Sequence, residues 1–291
     1  MTVSILSLYT YPVKSCAGIA HSEVGLSQGG LHRDRQWVIV DGHGIFMTQR
    51  QYPRMALIRP HLSSAGDLTL HAQGMPVLTV PWLTDTSEPA QIPVTIWRSH
   101  TLGFDEGDAA AKWLSDFLEL PCRLLRVHPE AERCASPDHV NAWRARHEDG
   151  APGFPAKHRF GFADGFPLLV TNQGSLDELN QRLQAKGHEP VPMNRFRPNV
   201  VLSGLPAYEE DYLAGMRAGV LTFAFVKRCG RCPVPNIDHL TAKVGTEPGI
   251  TLAEHRQFPE GVLFGVNAVV AGVSPGTRLG IGDSVELMYD V

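Results

Sequence analysis

This chain of 291 residues lacks an apolar stretch long enough to cross a bilayer. The run VLFGVNAVVAGVSPG, residues 262–276, carries Gly, Asn and Pro and falls short of the roughly 20 residues that a spanning helix needs. The opening residues, MTVSILSLYTYPVKS, have no basic region ahead of the apolar ones and no small-residue cleavage site, so no secretory signal is expected. Charge is scarce. Charged residues make up 19 % of the chain and the net charge is −4, a balance that favours neither nucleic acid nor an anionic membrane as a partner. Cysteine is scarce as well, with five residues, an odd number without a disulfide framework, which fits a reducing compartment. A cytoplasmic, monomeric protein is expected. The phosphate-binding patterns G-x-x-x-x-G-K-[ST] and strand-linked G-x-G-x-x-G are missing, which disfavours nucleotide binding by the usual loops. The thirteen histidines form no H-E-x-x-H array.

What is present is a β-rich chain broken by turns. Glycine and proline contribute 28 and 22 residues, so strands should be short. QWVIV (36–40), the turn Asp41-Gly42-His43-Gly44 and IFMTQ (45–49) predict a hairpin. LTLHA (68–72), PVLTV (76–80) and PVTIW (93–97) extend that pattern. In EGDAAAKWLSDFLEL (106–120), Ala110, Trp113, Leu114, Phe117 and Leu118 form one helical stripe that Pro121 should stop. Residues 129–160 hold four prolines and show no clear period, and read as a linker or a functional loop. PLLVT (167–171) follows as a buried strand, and Ser175-Leu-Asp-Glu178 as a capping box opening a helix that Gly187 ends. Further strands are predicted at 198–203, 221–228 and 262–270, with SVELMY near the end. The fold class is α+β, rich in β.

Chemistry is concentrated in a few turns. RCGRC (228–232) follows a predicted strand and places Cys229 and Cys232 on a turn. Zinc would need two more ligands, and the downstream His239 and His255, with fifteen residues between them, match no common spacing. A redox dithiol normally opens a helix, whereas Pro233 and Pro235 follow here. One exposed thiolate offered to a soft metal, or two unremarkable thiols on a turn, are the readings left open. YPVKSCAG (11–18) sets Lys14 and Ser15 beside a Pro and a Gly, as an anion-gripping turn would. His32-Arg33-Asp34-Arg35 and Asn194-Arg195-Phe196-Arg197-Pro198-Asn199 are two more cationic turns. Each alone reads as a solvated face; brought together, the three would suit a phosphate-bearing ligand. Asp164, ahead of PLLVT, is a turn carboxylate by default and a candidate for proton transfer.

Taken in order, YPVKSCAG, GLHRDRQWVIVD, the Asp-Gly step before PLLVT, NRFRPNVVLSG, RCGRC and LFGVN resemble the MOSC-domain molybdenum proteins, the family of the mitochondrial amidoxime-reducing component and its bacterial relatives. The resemblance implies an N-terminal β-barrel-like domain over residues 1–125, a MOSC β-barrel domain over 126–291 with a few helices, and a molybdenum cofactor between them. It assigns Cys232 as the protein's sulfur ligand to the metal. Lys14, Ser15, Arg35, Arg197, Asn199 and Arg231 would surround the pterin and its phosphate, and Asp164 would stand near the metal and handle protons. The implied activity is reduction of N-hydroxylated compounds, with two electrons and two protons releasing water. The electrons would come from a separate redox protein, and Cys229 is assigned no role beyond that of a neighbour to the ligand. Where family members often carry Thr-Thr-Val-Asp after the cysteine turn, this chain has Pro-Val-Pro-Asn-Ile-Asp238, and Gly165 and Phe166 replace two hydroxyl residues after the acid. A C-terminal ferredoxin domain and an N-terminal membrane anchor, known in some relatives, are not expected. The alternatives are a cofactor or sulfur carrier using Cys232 as a persulfide-type thiol, and a β-rich domain that binds no metal.

Overall fold

The computed structural model describes residues 2–82 and 91–290. In the first part of the chain the strands are β1 (Ser4–Thr10), β2 (Ile19–His21), β3 (Glu23–Ser27), β4 (Gly30–Leu31), β5 (Trp37–Val40), β6 (Arg59–Leu62), β7 (Leu68–His71), β8 (Leu78–Val80), β9 (Ile92–Ile96), β10 (Ser99–Asp105) and β11 (Arg123–Val127). The second part adds β12 (Leu168–Asn172), β13 (Val200–Ser203), β14 (Leu213–Ala218), β15 (Leu221–Gly230), β16 (Gln257–Phe258), β17 (Gly261–Ala271), β18 (Arg278–Gly280) and β19 (Glu286–Tyr289). Four helices accompany them among the described residues: α1 (Asp108–Leu118), α2 (Pro137–Arg146), α3 (Gln173–Ala185) and α4 (Gly249–Arg256). The β-rich α+β class read from the sequence is the fold observed.

The largest sheet runs β19-β14-β15-β17-β12-β13-β1-β2, with β16 paired to β17. Its centre is apolar on both faces: Leu263, Phe264, Val266, Ala268, Val269 and Val270 of β17 are all buried, as expected of a strand covered on both sides. A second sheet, β5-β11-β10-β9, packs with α1 around a separate core containing Trp37, Ile39, Trp113, Leu114 and Phe117. Burial of such side chains stabilises by about 1.5–3 kcal/mol each before entropy is counted. The chain's first strand, β1, pairs with β13 from the far half of the sequence, whereas β5, 30 residues on, pairs with β11. The segment between them, residues 11–36, therefore crosses from one sheet to the other.

Several local expectations change. The 36–49 hairpin forms its turn, with Asp41 Oδ1 accepting from the N–H groups of His43 and Ile45 at 2.9 and 3.0 Å. Its return arm is not a strand of its own: Phe46 bridges Val40 and Met47 N donates to Ile39 O at 2.9 Å on the edge of β5 away from β11, while Ile45 bridges Thr95 of β9. The stretch 129–160 is not structureless: α2 lies within it, burying Val140 and Trp143, and Trp143 Nε1 donates to Ala214 O at 2.6 Å. Helix α1 ends at Glu119 in a left-handed conformation, φ 62°, two residues before Pro121. Helix α3 is capped by Asn172, whose side chain accepts from Gly174 N, so Ser175 does not open a capping box.

Ser175 has another use. Its hydroxyl reaches both oxygens of the fully buried Glu210 carboxyl at 2.8 Å and accepts from Tyr208 N at 2.8 Å. Burial, opposed by the Ser175 hydrogen bond, pushes the Glu210 carboxyl up to about 7. Because the folded state holds this proton more tightly than the unfolded chain, the group's contribution is fully present below its unfolded pKa of 4.5. It is lost as pH rises through about 7. Glu210→Gln should therefore stabilise the protein at pH 8 by up to about 3 kcal/mol and change little at pH 4. Denaturant melts of both proteins across that range check it; equal differences at both ends would contradict the assignment.

Candidate functional site

The crossover segment, the loop before β12, the turn before β13 and the exit from β15 converge on one cavity of about 560 Å³, a size usual for a small-molecule site. Lys14, Ser15, Arg35, Asp164, Arg197, Asn199, Arg231 and Cys232 all line it. Residues separated by up to 218 positions, which sequence reasoning picked singly, are thus brought together.

Each is placed by backbone. Lys14 N donates to Trp37 O at 2.8 Å, tying the YPVKS turn to β5. Ser15 then takes φ 65°, Arg35 φ 46° and Arg197 φ 57°. With Trp97 at φ 56°, four non-glycine residues of the lining lie in the left-handed region, which is uncommon around one cavity, and such strain persists where the surroundings impose it. Those surroundings are visible: Gln49 Nε2 donates to Ser15 O at 2.7 Å, and Arg197 Nη1 to Cys16 O at 2.6 Å. Arg35 and Arg197 both sit over the Tyr11 ring, 4.4 and 4.2 Å from its centroid. Gly161 lets the loop before β12 approach, since a Cβ there would meet Arg35 O at 2.7 Å.

Asn199 is the joint of this assembly. Its Oδ1 accepts from Leu169 N and from Arg35 Nη1, both at 3.1 Å, and its Nδ2 donates to Tyr9 O at 3.2 Å. The amide is spent on protein partners, so it holds Arg35 in place and has little left for a ligand. Lys14 Nζ donates to Asp164 Oδ1 at 2.6 Å, and Trp97 Nε1 to the same oxygen at 2.7 Å. The Lys14 side chain is 6 % exposed and that of Asp164 71 %: the lysine comes from inside the wall, while the carboxylate stands at the surface of the cavity. Burial lowers the Lys14 ammonium against the opposing pull of Asp164. The Asp164 carboxyl is held well below the usual range because the Lys14 charge and the donors from Lys14 and Trp97 outweigh its desolvation.

Electrostatically the cavity is unlike the chain. Seven lining residues are cationic (Lys14, Arg35, Arg50, Arg197, Lys227, Arg228 and Arg231) against Asp164 and Glu260, a surplus of five positive charges in a protein of net charge −4. Burial brings Arg197 down to about 10, still charged at neutral pH. The β15–β17 ladder carries irregularities at Phe225/Lys227 and Arg228/Gly230, and bulges of this kind re-aim side chains at sites. After them, Arg231 donates to Cys229 Sγ at 3.2 Å and to Phe196 O at 2.7 Å, while its buried Nε has no partner among the described residues. Cys229 and Cys232 are free thiols, Cys232 exposed. Cys16 lies buried under the Ser15 turn, where desolvation pushes its thiol up to about 12, so it stays protonated.

The profile described as MOSC N-terminal beta barrel domain matches residues 2–121, and that of the MOSC domain matches residues 157–286. Human mitochondrial amidoxime-reducing component 1 is 34 % identical over 304 aligned positions, which cover 98 % of this chain and 83 % of the human protein. This chain belongs to the MOSC-domain family of the amidoxime-reducing component. Amidoxime-reducing component 2 from Bos taurus is 28 % identical over 98 % of the chain. Molybdenum cofactor sulfurase from Bos taurus is 32 % identical over 90 % of the chain, which matches 30 % of that longer protein.

Sequence reasoning missed part of this MOSC site. Arg133 is buried and donates to the carbonyls of Gly161, Ala163 and Asp164 at 2.8, 2.6 and 2.8 Å, holding the Asp164 loop from beneath. Nothing in its local sequence marks it. Trp97 and Arg50 line the cavity as well, and no local pattern marks either as part of a site. The pentapeptide Gly272–Gly276 spells G-x-S-x-G, the letters of a serine-hydrolase elbow. It forms a turn between β17 and β18, with Ser274 Oγ meeting Thr277 alone among the described residues, and lacks the strand-to-helix setting that pattern needs.

Proposed function

We propose that this chain is a molybdenum-cofactor oxidoreductase that reduces N-hydroxylated compounds such as amidoximes, hydroxylamines and N-hydroxypurines. The observation that carries the reading is an exposed thiol, Cys232, in a cavity with five surplus positive charges. An anionic pterin phosphate with a sulfur-held metal asks for such a donor set: soft thiolate for the metal, guanidinium and ammonium groups for the phosphate. The buried, unpartnered Nε of Arg231 is one donor left for it.

In this proposal Cys232 is the protein's ligand to the metal. Lys14, Ser15, Arg35, Arg197 and Arg231 line the cofactor, and Asn199 acts by fixing Arg35. When bound, the cofactor supplies the two-electron chemistry that removes oxygen from nitrogen, while the protein supplies orientation and protons. Asp164 works with Lys14 as one unit. The carboxylate, anionic at neutral pH, accepts and positions; the buried ammonium, its proton loosened by desolvation, is the donor of the pair. On this reading the site lies between domains 1–125 and 126–291, and the protein is a cytoplasmic monomer that receives electrons from a separate donor protein. No helix among the described residues is long and apolar enough to cross a membrane.

The test is turnover. Protein from cells that make the cofactor, reduced by an artificial donor, should convert an amidoxime to the amidine with two electrons consumed per molecule. Full molybdenum occupancy without loss of the N-hydroxyl group would contradict the reductase reading. A second reading is favoured by the match to the sulfurase and by the second thiol, Cys229, on the same cavity: Cys232 would carry a persulfide. Cyanide-labile sulfur without turnover would support it instead.

A further inference from the structure

Strands β9 and β10 are joined by a two-residue turn, Trp97–Arg98, since Ile96 pairs directly with Ser99. Trp97 takes φ 56° there, a region that such turns normally give to Asn, Asp or Gly and in which a bulky side chain is an outlier. Glycine would relieve that strain and remove an indole that is 47 % exposed. Neither turn chemistry nor core packing accounts for tryptophan at this position. Its surroundings do. Trp97 Nε1 donates to Asp164 Oδ1 at 2.7 Å, the Arg50 guanidinium lies 4.3 Å from the ring centroid, and Phe46 packs on it edge-on at 4.9 Å. These three contacts fix the plane of a partly exposed aromatic ring in the wall of the cavity. Lys14 and Trp97 both use Asp164 Oδ1, and Oδ2 has no partner among the described residues. A held aromatic surface and a free carboxylate oxygen thus stand side by side.

We infer that Trp97 is a substrate platform: the indole stacks on a planar aromatic or heteroaromatic compound while Asp164 Oδ2 accepts a hydrogen bond from its N–H or O–H group. For the N-hydroxyl group of that compound the inference rests on the reductase reading; the aromatic preference can be measured without turnover. Stacking of this kind distinguishes an aryl ligand from an aliphatic one by about tenfold in affinity.

Titration calorimetry of the cofactor-bearing protein with benzamidoxime and with acetamidoxime tests it. The aromatic probe should bind about tenfold more tightly. Trp97→Ala should bring the two affinities together, and Trp97→Phe, which keeps a ring, should retain most of the preference. Equal affinities in the wild type, no binding of either probe, a preference surviving Trp97→Ala, or an equal loss in Trp97→Phe would each overturn the platform. Turnover in the same samples separates the two claims. Preferential binding without reduction removes the reductase reading and leaves the platform; reduction of both probes with equal affinity does the reverse.

Discussion

Replacing Cys232 by serine is expected to lower reductase activity at least ~100-fold while leaving the fold and much of the pterin in place. The thiol is exposed, and no hydrogen bond links it to the rest of the described residues, so its removal falls among surface substitutions worth about ±0.5 kcal/mol. What changes is ligand chemistry. Serine offers a hard hydroxyl that stays protonated at neutral pH where a soft thiolate is wanted. The cationic lining is untouched, so the phosphate end of the cofactor keeps its partners. Metal and pterin should therefore part company: pterin near wild-type content, molybdenum reduced and its absorption spectrum altered. An unchanged spectrum and activity in Cys232→Ser would show that another residue holds the metal.

The second large effect is on stability. Asn199→Ala should destabilise the protein by about 3 kcal/mol, roughly 6–12 °C in melting temperature at about 2–4 °C per kcal/mol for chains of this order of length. The buried amide is the partner of Leu169 N and Tyr9 O, and its loss leaves both without one inside the sheet. Orphaned buried polar groups cost about 1–3 kcal/mol each. Arg35 loses its Oδ1 partner as well, so cofactor content should fall together with stability. A variant that melts like the wild type would mean that water or a shifted neighbour replaces the amide, and that β1, β12 and β13 do not depend on this joint.

How much of this was legible in the sequence depended on how locally each feature is determined. Helix α1 was readable because its stripe, Ala110 to Leu118, buries one continuous face. The segment holding α2 was not, because only Val140 and Trp143 of that helix are buried and the rest is polar, leaving no period to detect. Ser175 imitated a cap because the spacing to Glu178 was right; the residue that caps, Asn172, was hidden at the end of β12. Strand β1 passed unmarked, and its partner lies near residue 200, a pairing no local pattern encodes.

The site shows the same division. Each cationic turn was visible as a turn, but their meeting depends on β1 crossing to β13 and β5 to β11, and only the ordered resemblance to MOSC proteins anticipated it. Arg133 and Trp97 stayed hidden because their roles are set by carbonyls and a carboxylate distant in sequence. The pairing of Lys14 with Asp164 likewise turns a single suspected acid into a coupled donor and acceptor.

Whether this cavity holds a molybdenum cofactor is tested most directly by measuring molybdenum by mass spectrometry and oxidised pterin by fluorescence on one sample of wild-type protein purified from cells that make the cofactor. One molybdenum and one pterin per chain, in equal amounts, are expected. Protein that is folded, yet carries neither, would contradict the cofactor assignment.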